Sequence, residues 1–231
     1  MDEDRPYNTS VPLTARIGVI GGTGSHGGGL GWQLARAGGQ VTIGSRSIDR
    51  AREAVARLKQ HSGKMHLKAA ENAFVVETCD VIFLAVPFLQ ASRTVEEHRE
   101  RFSSGSLLID VTVPMTFVNR TPQLIEVPER SATEQIRQRL PPRVQLAAAL
   151  KTVPARLLGG EEPLDCDDFV CGDSPEARSR ASELLRLIPG LRPIDVGPLE
   201  AARTIERMTV LALTINQRYK VPDARFRVVG L

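Results

Sequence analysis

The residues that could do chemistry begin at a glycine-rich turn near the amino end of the chain. Gly22-Thr23-Gly24-Ser25-His26-Gly27 follows an apolar run at residues 17–20 and fits the pattern G-x-G-x-x-G. In that pattern Gly22 permits a tight turn, Gly24 lets the backbone approach a pyrophosphate, and Gly27 allows a helix to pack closely on a strand. The N-terminus of the following helix offers unpaired N–H groups to phosphates. The turn therefore predicts a dinucleotide-binding site, the alternative being a glycine-rich turn without a ligand.

A second group of polar residues follows the next apolar run, residues 41–43. Enzymes that use NAD place Asp or Glu at this strand end, against the ribose 2′-hydroxyl. Here the strand end carries Ser45 and Arg46 instead, with Arg50 about one helical turn later. A hydroxyl together with guanidinium groups suits a dianionic 2′-phosphate. The sequence therefore predicts NADP rather than NAD, the alternative being a solvated basic start of a helix.

These candidate residues require elements that bring distant strand ends together. Apolar runs alternate with helical segments along the chain, a pattern typical of an α/β fold whose parallel strands are buried on both faces. We predict a Rossmann-type, doubly wound, mostly parallel sheet with a smaller C-terminal α/β portion that ends in a long helix, residues 198–220. Residues 69–78 are predicted as a short helix, and residues 115–130 as a long loop near the active site.

The chain is predicted to have three parts. Residues 1–14 form a disordered leader, residues 15–154 the NADP-binding Rossmann domain, and residues 155–231 a smaller C-terminal domain. This last domain is expected to close the substrate pocket, and the apolar stripe of its long helix makes it a candidate surface for a homodimer. Ligands of open α/β sheets bind at the carboxyl ends of the strands. The strand ends expected to meet in one crevice are residues 22–27, 45–46, 86–88, 113–114 and 151–155.

Composition argues against several classes of protein. The 231 residues are 42% hydrophobic and 25% charged, and the formal net charge is +3, so no nucleic-acid partner is expected. No apolar run reaches the roughly 18 residues of a membrane span, and no signal peptide is predicted. Three cysteines argue against a disulfide framework and for a reducing, cytoplasmic location. No metal site is predicted, because Cys166 and Cys171 lack a second pair and residues 161–168 are interpreted as a solvated acidic loop.

Several further segments, taken together with the glycine turn, resemble one family. They are Gly44-Ser45-Arg46, Ala85-Val86-Pro87, Glu129-Arg130-Ser131-Ala132, Thr152-Val153-Pro154-Ala155-Arg156, Val170-Cys171-Gly172-Asp173 and the run from Gly190 to Leu199. Across these segments, which are spread over most of residues 16–220, the chain resembles the NADPH-dependent reductases of the deazaflavin coenzyme F-420, also called F-420:NADP oxidoreductases. The late segments are the more diagnostic, because Rossmann proteins in general do not share them.

The resemblance implies an oxidoreductase that transfers a hydride directly between nicotinamide C4 of NADP(H) and C5 of the deazaflavin, with coenzyme F-420 as co-substrate. It also implies roles for matching residues, which fall into four sets. The residues against the pyrophosphate are Thr23, Gly24, Ser25 and His26. The residues that hold the 2′-phosphate are Ser45, Arg46 and Arg50. Those that line the nicotinamide and its ribose are Val86, Phe88, Val113 and Ala155. Those that face the deazaflavin are Thr152 and Val153.

The sequence departs from the family at Lys151, where the family typically has His before Thr-Ile-Pro. A charged Lys only donates hydrogen bonds, whereas a neutral His donates or accepts them. Lys151 is therefore predicted to join Thr152 and Val153 at the catalytic site and to pair with a deazaflavin carbonyl or its ionised phenol. The alternative is that Lys151 points to solvent beside the pocket. Two other functions stay open: reduction of another acceptor (a pterin, flavin, ketone or imine) and a non-catalytic NADP-sensing module.

Overall fold

A computed structural model of the chain describes residues 14–60 and 65–231. The predicted leader, residues 1–14, lies outside the described residues except for its last position. Within the described residues the ten strands are β1 (Arg16–Ile20), β2 (Gln40–Ser45), β3 (Leu67–Glu71), β4 (Val81–Leu84), β5 (Leu107–Asp110), β6 (Met115–Val118), β7 (Thr121–Leu124), β8 (Gln145–Ala148), β9 (Cys166–Gly172) and β10 (Leu191–Asp195).

Helices connect these strands in the alternation that the sequence predicts. The α-helices of the described residues are α1 (Ser25–Arg36), α2 (Ile48–Gln60), α3 (Asn72–Thr78), α4 (Phe88–Glu97), α5 (Ala132–Arg139), α6 (Ala155–Leu158), α7 (Pro175–Leu185) and α8 (Ala202–Tyr219), and Arg99–Arg101 and Leu199–Ala201 form 3₁₀ helices. Side-chain caps fix two of these helices, because Ser131 accepts from the Glu134 N–H before α5 and Ser174 from the Ala177 N–H before α7.

Eight strands form one sheet in the order β10-β9-β8-β5-β4-β1-β2-β3. All neighbouring strands pair in parallel except β8 and β9, which are antiparallel through Ala147–Gly172 and Ala148–Cys171. The predicted Rossmann-type, mostly parallel sheet is therefore confirmed. Its smaller C-terminal portion, β9 and β10, extends this sheet, and the predicted long C-terminal helix is α8.

The core consists of two layers, one on each face of the sheet. Ile17 and Val19 of β1 pack into one cluster with residues of α1, α2 and α7. Ile20 of the same strand packs into the other cluster, with residues of α3, α4 and α5. Successive residues of a strand point to opposite faces, so a continuously apolar strand buries both of them. This arrangement leaves the carboxyl edge of the sheet as the place where loops can form a ligand site.

Two predicted elements differ from the structure. Residues 69–78 do not form one helix, because Leu67–Glu71 pairs with β2 as the edge strand β3 and only Asn72–Thr78 is helical. The alanine-rich sequence of β3 has weak strand propensity, and pairing with β2 overrides this local preference.

The second difference lies in the predicted loop 115–130, where β6 and β7 form an antiparallel hairpin. Asn119 and Arg120 at its turn both have positive φ, 49° and 65°. Hairpin turns of this kind favour Asn-Gly, and Pro within a strand argues against pairing. The sequence did not indicate a hairpin here, because Arg120 stands where Gly is favoured and β7 contains Pro122.

The long helix α8 lies against the β6–β7 hairpin and buries Ala202, Ile205, Glu206 and Ala212. It ends at Lys220, whose φ of 55° gives a left-handed C-cap. Across residues 14–60 and 65–231, no helix combines the length and the apolar character that a membrane crossing requires.

Candidate active site

The carboxyl ends of the parallel strands open into a cleft of about 1030 Å³. All the predicted site residues except Gly22 line it: Thr23, Gly24, Ser25, His26, Gly27, Ser45, Arg46, Arg50, Val86, Phe88, Val113, Lys151, Thr152, Val153 and Ala155. Gly22 lines an adjacent cavity of about 280 Å³ on the other side of the turn. The structure thus brings five distant segments together, whereas the role of each residue stays a prediction.

The glycine turn has the close packing that the sequence predicts. Gly21 adopts a left-handed φ of 83°, and its carbonyl accepts from the Gly24 N–H at 3.2 Å. A Cβ on Gly27 would lie 2.7 Å from the Gly21 oxygen and 3.0 Å from the Gly22 Cα. Helix α1 begins at Ser25 without a side-chain cap. Its first N–H groups are therefore available to an anion in the cleft.

His26 adds a neutral ring beside this turn. Burial lowers the pKa of His26 to about 4, so the imidazole is uncharged at neutral pH. Its Nε2 atom is buried and has no hydrogen-bond partner among the described residues. A buried polar atom without a partner is costly, and a ligand group in the cleft is one way to satisfy it.

Free cations lie at the end of β2. Arg46 and Arg50 are both exposed, and neither guanidinium forms an ion pair within the described part of the chain. Ser45 is buried and its hydroxyl accepts from the Ser47 N–H at 3.3 Å. Guanidinium groups beside a hydroxyl and a helix start have the chemistry that a dianion requires, and the role of these residues stays a prediction.

Asn72 is a cleft residue that the sequence analysis missed. It begins α3 directly after the edge strand β3, beside Gly44 and Ser45, and its buried Oδ1 has no partner among the described residues. A Cβ on Gly44 would lie 3.0 Å from that oxygen. Recognition of β3 as a strand would have placed Asn72 at a strand end, where polar residues are candidates for ligand contact.

The opposite end of the cleft is largely apolar. Val86 and Phe88 follow β4, Val113 follows β5, and Val153 and Ala155 follow β8. Thr152 stands between them, 5% exposed, and its hydroxyl has no partner among the described residues. An apolar wall with a few polar groups is the usual form of a site for planar rings.

Further lining comes from the hairpin and from α8, in agreement with the predicted position of residues 115–130 near the active site, although the sequence analysis named no individual residue of either element. The added residues are Met115 and Phe117 of the hairpin and Thr209, Ala212, Leu213 and Asn216 of α8. The sequence predicts the apolar stripe of α8 as core or dimer contact, because periodicity alone does not distinguish a cleft wall from a core.

Lys151 is placed differently from both predicted arrangements. Its side chain is 0% exposed, so the solvent-pointing alternative is wrong. Nζ donates to Asp110 Oδ2 at 2.7 Å, to Glu206 Oε1 at 3.1 Å and to the Thr112 carbonyl oxygen. An ammonium has three N–H donors, and all three are used within the protein. The predicted pairing with a deazaflavin oxygen therefore has no donor left.

The carboxylates of this cluster have further partners. Asp110 Oδ1 accepts from the Thr112 N–H and hydroxyl, and Oδ2 accepts from the Thr133 hydroxyl. Both Glu206 oxygens accept from the Ala132 N–H at 3.1 Å. Burial acts to lower the pKa of Lys151, but the charges of Asp110 and Glu206 outweigh it and the pKa is raised. Burial raises the pKa of Glu206 against the opposing charge of Lys151.

A second buried carboxyl supports the same segment. Both Asp168 oxygens lie 2.8 Å from the Leu150 N, and Leu150 has a left-handed φ of 56°. Burial raises the pKa of Asp168 to about 7, with the Leu150 N–H acting in the opposite direction. The predicted solvated loop is thus wrong for Asp167 and Asp168, which lie buried in β9.

The cysteines and acidic residues form no recognisable metal centre in the part of the chain that the structure describes. Cys166 and Cys171 are both buried in β9, and burial raises the pKa of each thiol to about 12. These thiols are protonated at neutral pH and therefore behave as small apolar side chains.

Sequence comparisons relate the chain to one family of oxidoreductases. A family profile described as "NADP oxidoreductase coenzyme F420-dependent" matches residues 16–114. The chain is 35% identical to the F420-dependent NADP reductase of Methanothermobacter thermautotrophicus over 225 residues, 95% of this chain and 97% of the relative. It is 31% identical to the enzyme of the same name from Methanocaldococcus jannaschii over 222 residues, 94% of this chain and 99% of the relative.

A solved structure supports the fold independently. It is a candidate F420-dependent NADP reductase from Arthrobacter sp. FB24, with a TM-score of 0.77 and 24% identity over 93% of this chain and 99% of the other. Glycerol-3-phosphate dehydrogenase from Coxiella burnetii shares the fold more distantly, with a TM-score of 0.58 over 80% of this chain and 54% of the other. Because the sequence identity to the curated relatives extends over nearly the whole chain, the protein belongs to the family of F420-dependent NADP reductases.

Proposed function

We propose that this protein transfers a hydride between NADP(H) and coenzyme F-420. The observation that carries the proposal is that one cleft joins two different ends. One end offers helix N–H groups and cations without an ion pair among the described residues, and the other offers an apolar wall with the Thr152 hydroxyl, which has no partner in that part of the chain. Its relatives named F420-dependent NADP reductase match over 94–95% of the chain, so both ends belong to the matched region.

The cationic end is proposed to hold the NADP phosphates. The N–H groups at the start of α1 suit the pyrophosphate, and the Cβ that Gly27 lacks leaves room for the close turn. Ser45, Arg46 and Arg50 suit the 2′-phosphate, which distinguishes NADP from NAD. Two buried atoms without partners, His26 Nε2 and Asn72 Oδ1, also fit a polar ligand here.

The apolar end is proposed to orient the two reacting rings. NADPH supplies the hydride when it is bound, and the deazaflavin accepts it. Val86, Phe88 and Val113 line one side of this end, and Val153 and Ala155 follow the neighbouring strand. Direct transfer requires no nucleophile from the protein, so these residues contribute by alignment and by exclusion of water. The buried Thr152 hydroxyl, which has no partner among the described residues, is proposed to bond a ring substituent.

The C-terminal residues 155–231 are proposed to complete the pocket through α8 and to mediate a homodimer. Leu211 on α8 and Phe117 and Val118 on the hairpin are exposed apolar residues, which supports an apolar contact surface. We place the protein in the cytoplasm, since its three cysteines are free and buried. Light scattering at micromolar concentration tests the dimer, and a monomeric mass would contradict it.

An absorbance assay tests the activity. Purified protein is mixed with NADPH and coenzyme F-420, and loss of the visible band of the deazaflavin is followed. We expect turnover with NADPH and at least about tenfold less efficient turnover with NADH. Parallel assays use a flavin, a pterin, a ketone and an imine as acceptors. Turnover with one of these alone would replace the proposed acceptor, and saturable NADPH binding without any turnover would favour an NADP sensor.

A further inference from the structure

We propose that Lys151 is a positioning residue whose buried ammonium ties together the two loops that flank the reacting nicotinamide. The proposal rests on the proposed hydride transfer, because it assigns Lys151 to the geometry of that step. Lys151 does not touch the substrates in this proposal. It acts through the backbone segments 111–113 and 151–155, which form neighbouring parts of the cleft wall.

The three acceptors of Lys151 lie on two separate parts of the fold. Asp110 ends β5, Thr112 lies in the loop after it, and Glu206 is on α8. Lys151 itself follows β8, the neighbour of β5 in the sheet. One ammonium therefore joins two strand ends to the long C-terminal helix. Three N–H donors at tetrahedral angles define the relative position of these three elements.

The backbone on each side of Lys151 is also fixed. Asp168 holds the Leu150 N–H, and the left-handed φ of Leu150 turns the chain sharply before Lys151. The Lys151 carbonyl accepts from the Thr209 hydroxyl on α8 at 2.8 Å. The segment is thus held before Lys151, at its side chain and at its carbonyl. The next two residues, Thr152 and Val153, line the apolar end of the cleft. Because hydride transfer is proposed to occur there, this end is called the hydride end.

The energetics of buried ion pairs argue for a geometric role. Ion pairs of this kind give little net stability, because desolvation offsets the charge attraction, and apolar side chains of similar size often stabilise a protein as well or better. Directional bonds to three elements are what an apolar side chain cannot provide. Because the cluster satisfies all three donors and both carboxylates internally, its contribution is to fix the distance between the loops.

The test separates the rate of hydride transfer from folding and from NADPH binding. Lys151→Met alone leaves two buried carboxylates without their cation, which destabilises a protein strongly. The main variant is therefore the neutral triple substitution Lys151→Met, Asp110→Asn, Glu206→Gln. Single-turnover rates are measured with enzyme in excess, using NADPH and its C4-deuterated form, together with the NADPH dissociation constant and Tm.

For the triple variant we expect a folded protein, an NADPH dissociation constant within about threefold of the original, and a hydride-transfer rate lower on the order of 10²-fold. The deuterium isotope effect on kcat, measured in separate steady-state assays, should rise, because the hydride step becomes more fully rate-limiting. A lower fraction of folded enzyme would reduce the amplitude of the reaction, but it would change neither the rate constant of hydride transfer nor the isotope effect. A triple variant with the original rate would overturn the proposal.

A milder variant decides the matter if the triple variant does not fold. Glu206→Gln keeps an oxygen for the Ala132 N–H, leaves Lys151 bonded to Asp110 and Thr112, and replaces the charged acceptor of Lys151 on α8 with a neutral, weaker one. We expect its hydride-transfer rate to fall severalfold at unchanged Tm and NADPH affinity. Glu200→Gln, an exposed substitution near the start of the same helix, is the matched control and should leave the rate unchanged. Equal rates for the two variants would overturn the proposal.

Failure of the proposed function would be visible separately. If the original protein binds NADPH but does not reduce coenzyme F-420, the acceptor is wrong, and the same variants are compared with the acceptor that supports turnover. The role of Lys151 concerns the nicotinamide end of the cleft and applies to any hydride acceptor. If no acceptor supports turnover, the hydride-transfer role of Lys151 is refuted together with the proposed function.

Discussion

The two ends of the cleft are built in opposite ways. The cationic end keeps its groups free: the guanidinium groups of Arg46 and Arg50 have no ion pair among the described residues, and α1 begins without a side-chain cap. The hydride end keeps its charges occupied, with Lys151 buried between Asp110 and Glu206. The groups proposed to bind phosphates are left available, whereas the groups proposed to fix a distance are satisfied by one another.

This contrast predicts different consequences of substitution. Changes at the cationic end should alter binding constants and leave the intrinsic rate of transfer intact, because charge attraction to the phosphates acts equally in the ground state and in the transition state. Changes behind the hydride end should alter the rate, because alignment of the reacting atoms affects only that step.

The largest effect is expected at the glycine turn. Gly27→Ala would place a Cβ 2.7 Å from the Gly21 oxygen, and a backbone atom cannot yield as a flexible side chain can. We expect NADPH affinity to fall on the order of 10²-fold, because the turn and the start of α1 must shift. Fluorescence titration with NADPH measures this affinity.

Gly160→Ala is the matched control, since its Cβ would meet only the Leu157 oxygen at 3.5 Å, an ordinary contact. Unchanged affinity in the Gly27 variant would show that the turn tolerates a side chain and does not cradle the pyrophosphate closely.

The next effect is a pH dependence of the free energy of unfolding, and it arises at Asp168, which supports the hydride end. Burial raises the pKa of Asp168 to about 7, whereas an unfolded Asp titrates near about 3.9. Between these values the folded protein binds more protons than the unfolded chain, so this group's contribution to stability is lost as the pH rises from about 4 to 7. Asp168→Asn removes that titration and keeps an oxygen for the Leu150 N–H.

Denaturant unfolding of both proteins from pH 4 to 8 measures this difference. We expect the free energy of unfolding of the original protein to fall relative to the Asp168→Asn variant by a few kcal/mol across this range and to level above pH 7. Parallel curves for the two proteins would mean that Asp168 does not carry the raised pKa. The pH dependence would then arise elsewhere.

The two ends of the cleft also differ in how far the sequence predicts them. The glycine turn and the arginines after β2 lie within 30 residues, so a local pattern predicts both the strand–turn–helix and the phosphate contacts. Lys151 finds its carboxylates 41 and 55 residues away. No spacing rule along the chain connects such residues, and only the strand order brings β8 beside β5.

The sequence does not predict strand β3 or the β6–β7 hairpin, and the reason is the same for both, because neither has a strong local signal. Strand β3 is held by its pairing with β2 and not by its alanine-rich sequence, so Asn72 was not recognised at a strand end. The hairpin turn at Asn119 lacks the expected glycine. In both places tertiary contacts decide the backbone where local propensity is weak. The residues missed therefore lie on elements that tertiary contacts define, whereas the residues found follow strands that the sequence pattern already predicts.

A smaller effect is expected at the 2′-phosphate. Arg46→Ala removes one exposed guanidinium and should reduce the preference for NADPH over NADH by at least about tenfold, because a hydrogen bond to a charged group contributes about 1.5–3 kcal/mol. The ratio of kcat/KM for the two nucleotides measures the preference. Arg52→Ala on the same helix, where Arg52 pairs with Asp49 at 3.3 Å, is the control and should change nothing. An unaltered ratio in the Arg46 variant would refute the assignment of NADP recognition.

The smallest effect, and the one most specific to the hydride end, is expected at Thr152. Its buried hydroxyl has no partner among the described residues, which costs a protein about 1–3 kcal/mol. Thr152→Val removes the hydroxyl and keeps the shape, so we expect the ligand-free protein to gain about 1 kcal/mol in the free energy of unfolding. Activity should fall about tenfold, since the hydroxyl is proposed to bond a ring substituent.

Thr209→Val, in the same cleft, is expected to change stability in the opposite direction. The Thr209 hydroxyl donates to the Lys151 carbonyl at 2.8 Å, so its removal should cost about 1 kcal/mol of stability. Opposite signs for the two Thr→Val variants would mean that one hydroxyl is kept free for a ligand while the other holds the wall in place. If Thr152→Val instead lost stability as Thr209→Val does, the Thr152 hydroxyl would have a partner within the protein, and the hydride end would contain no polar group reserved for the substrate.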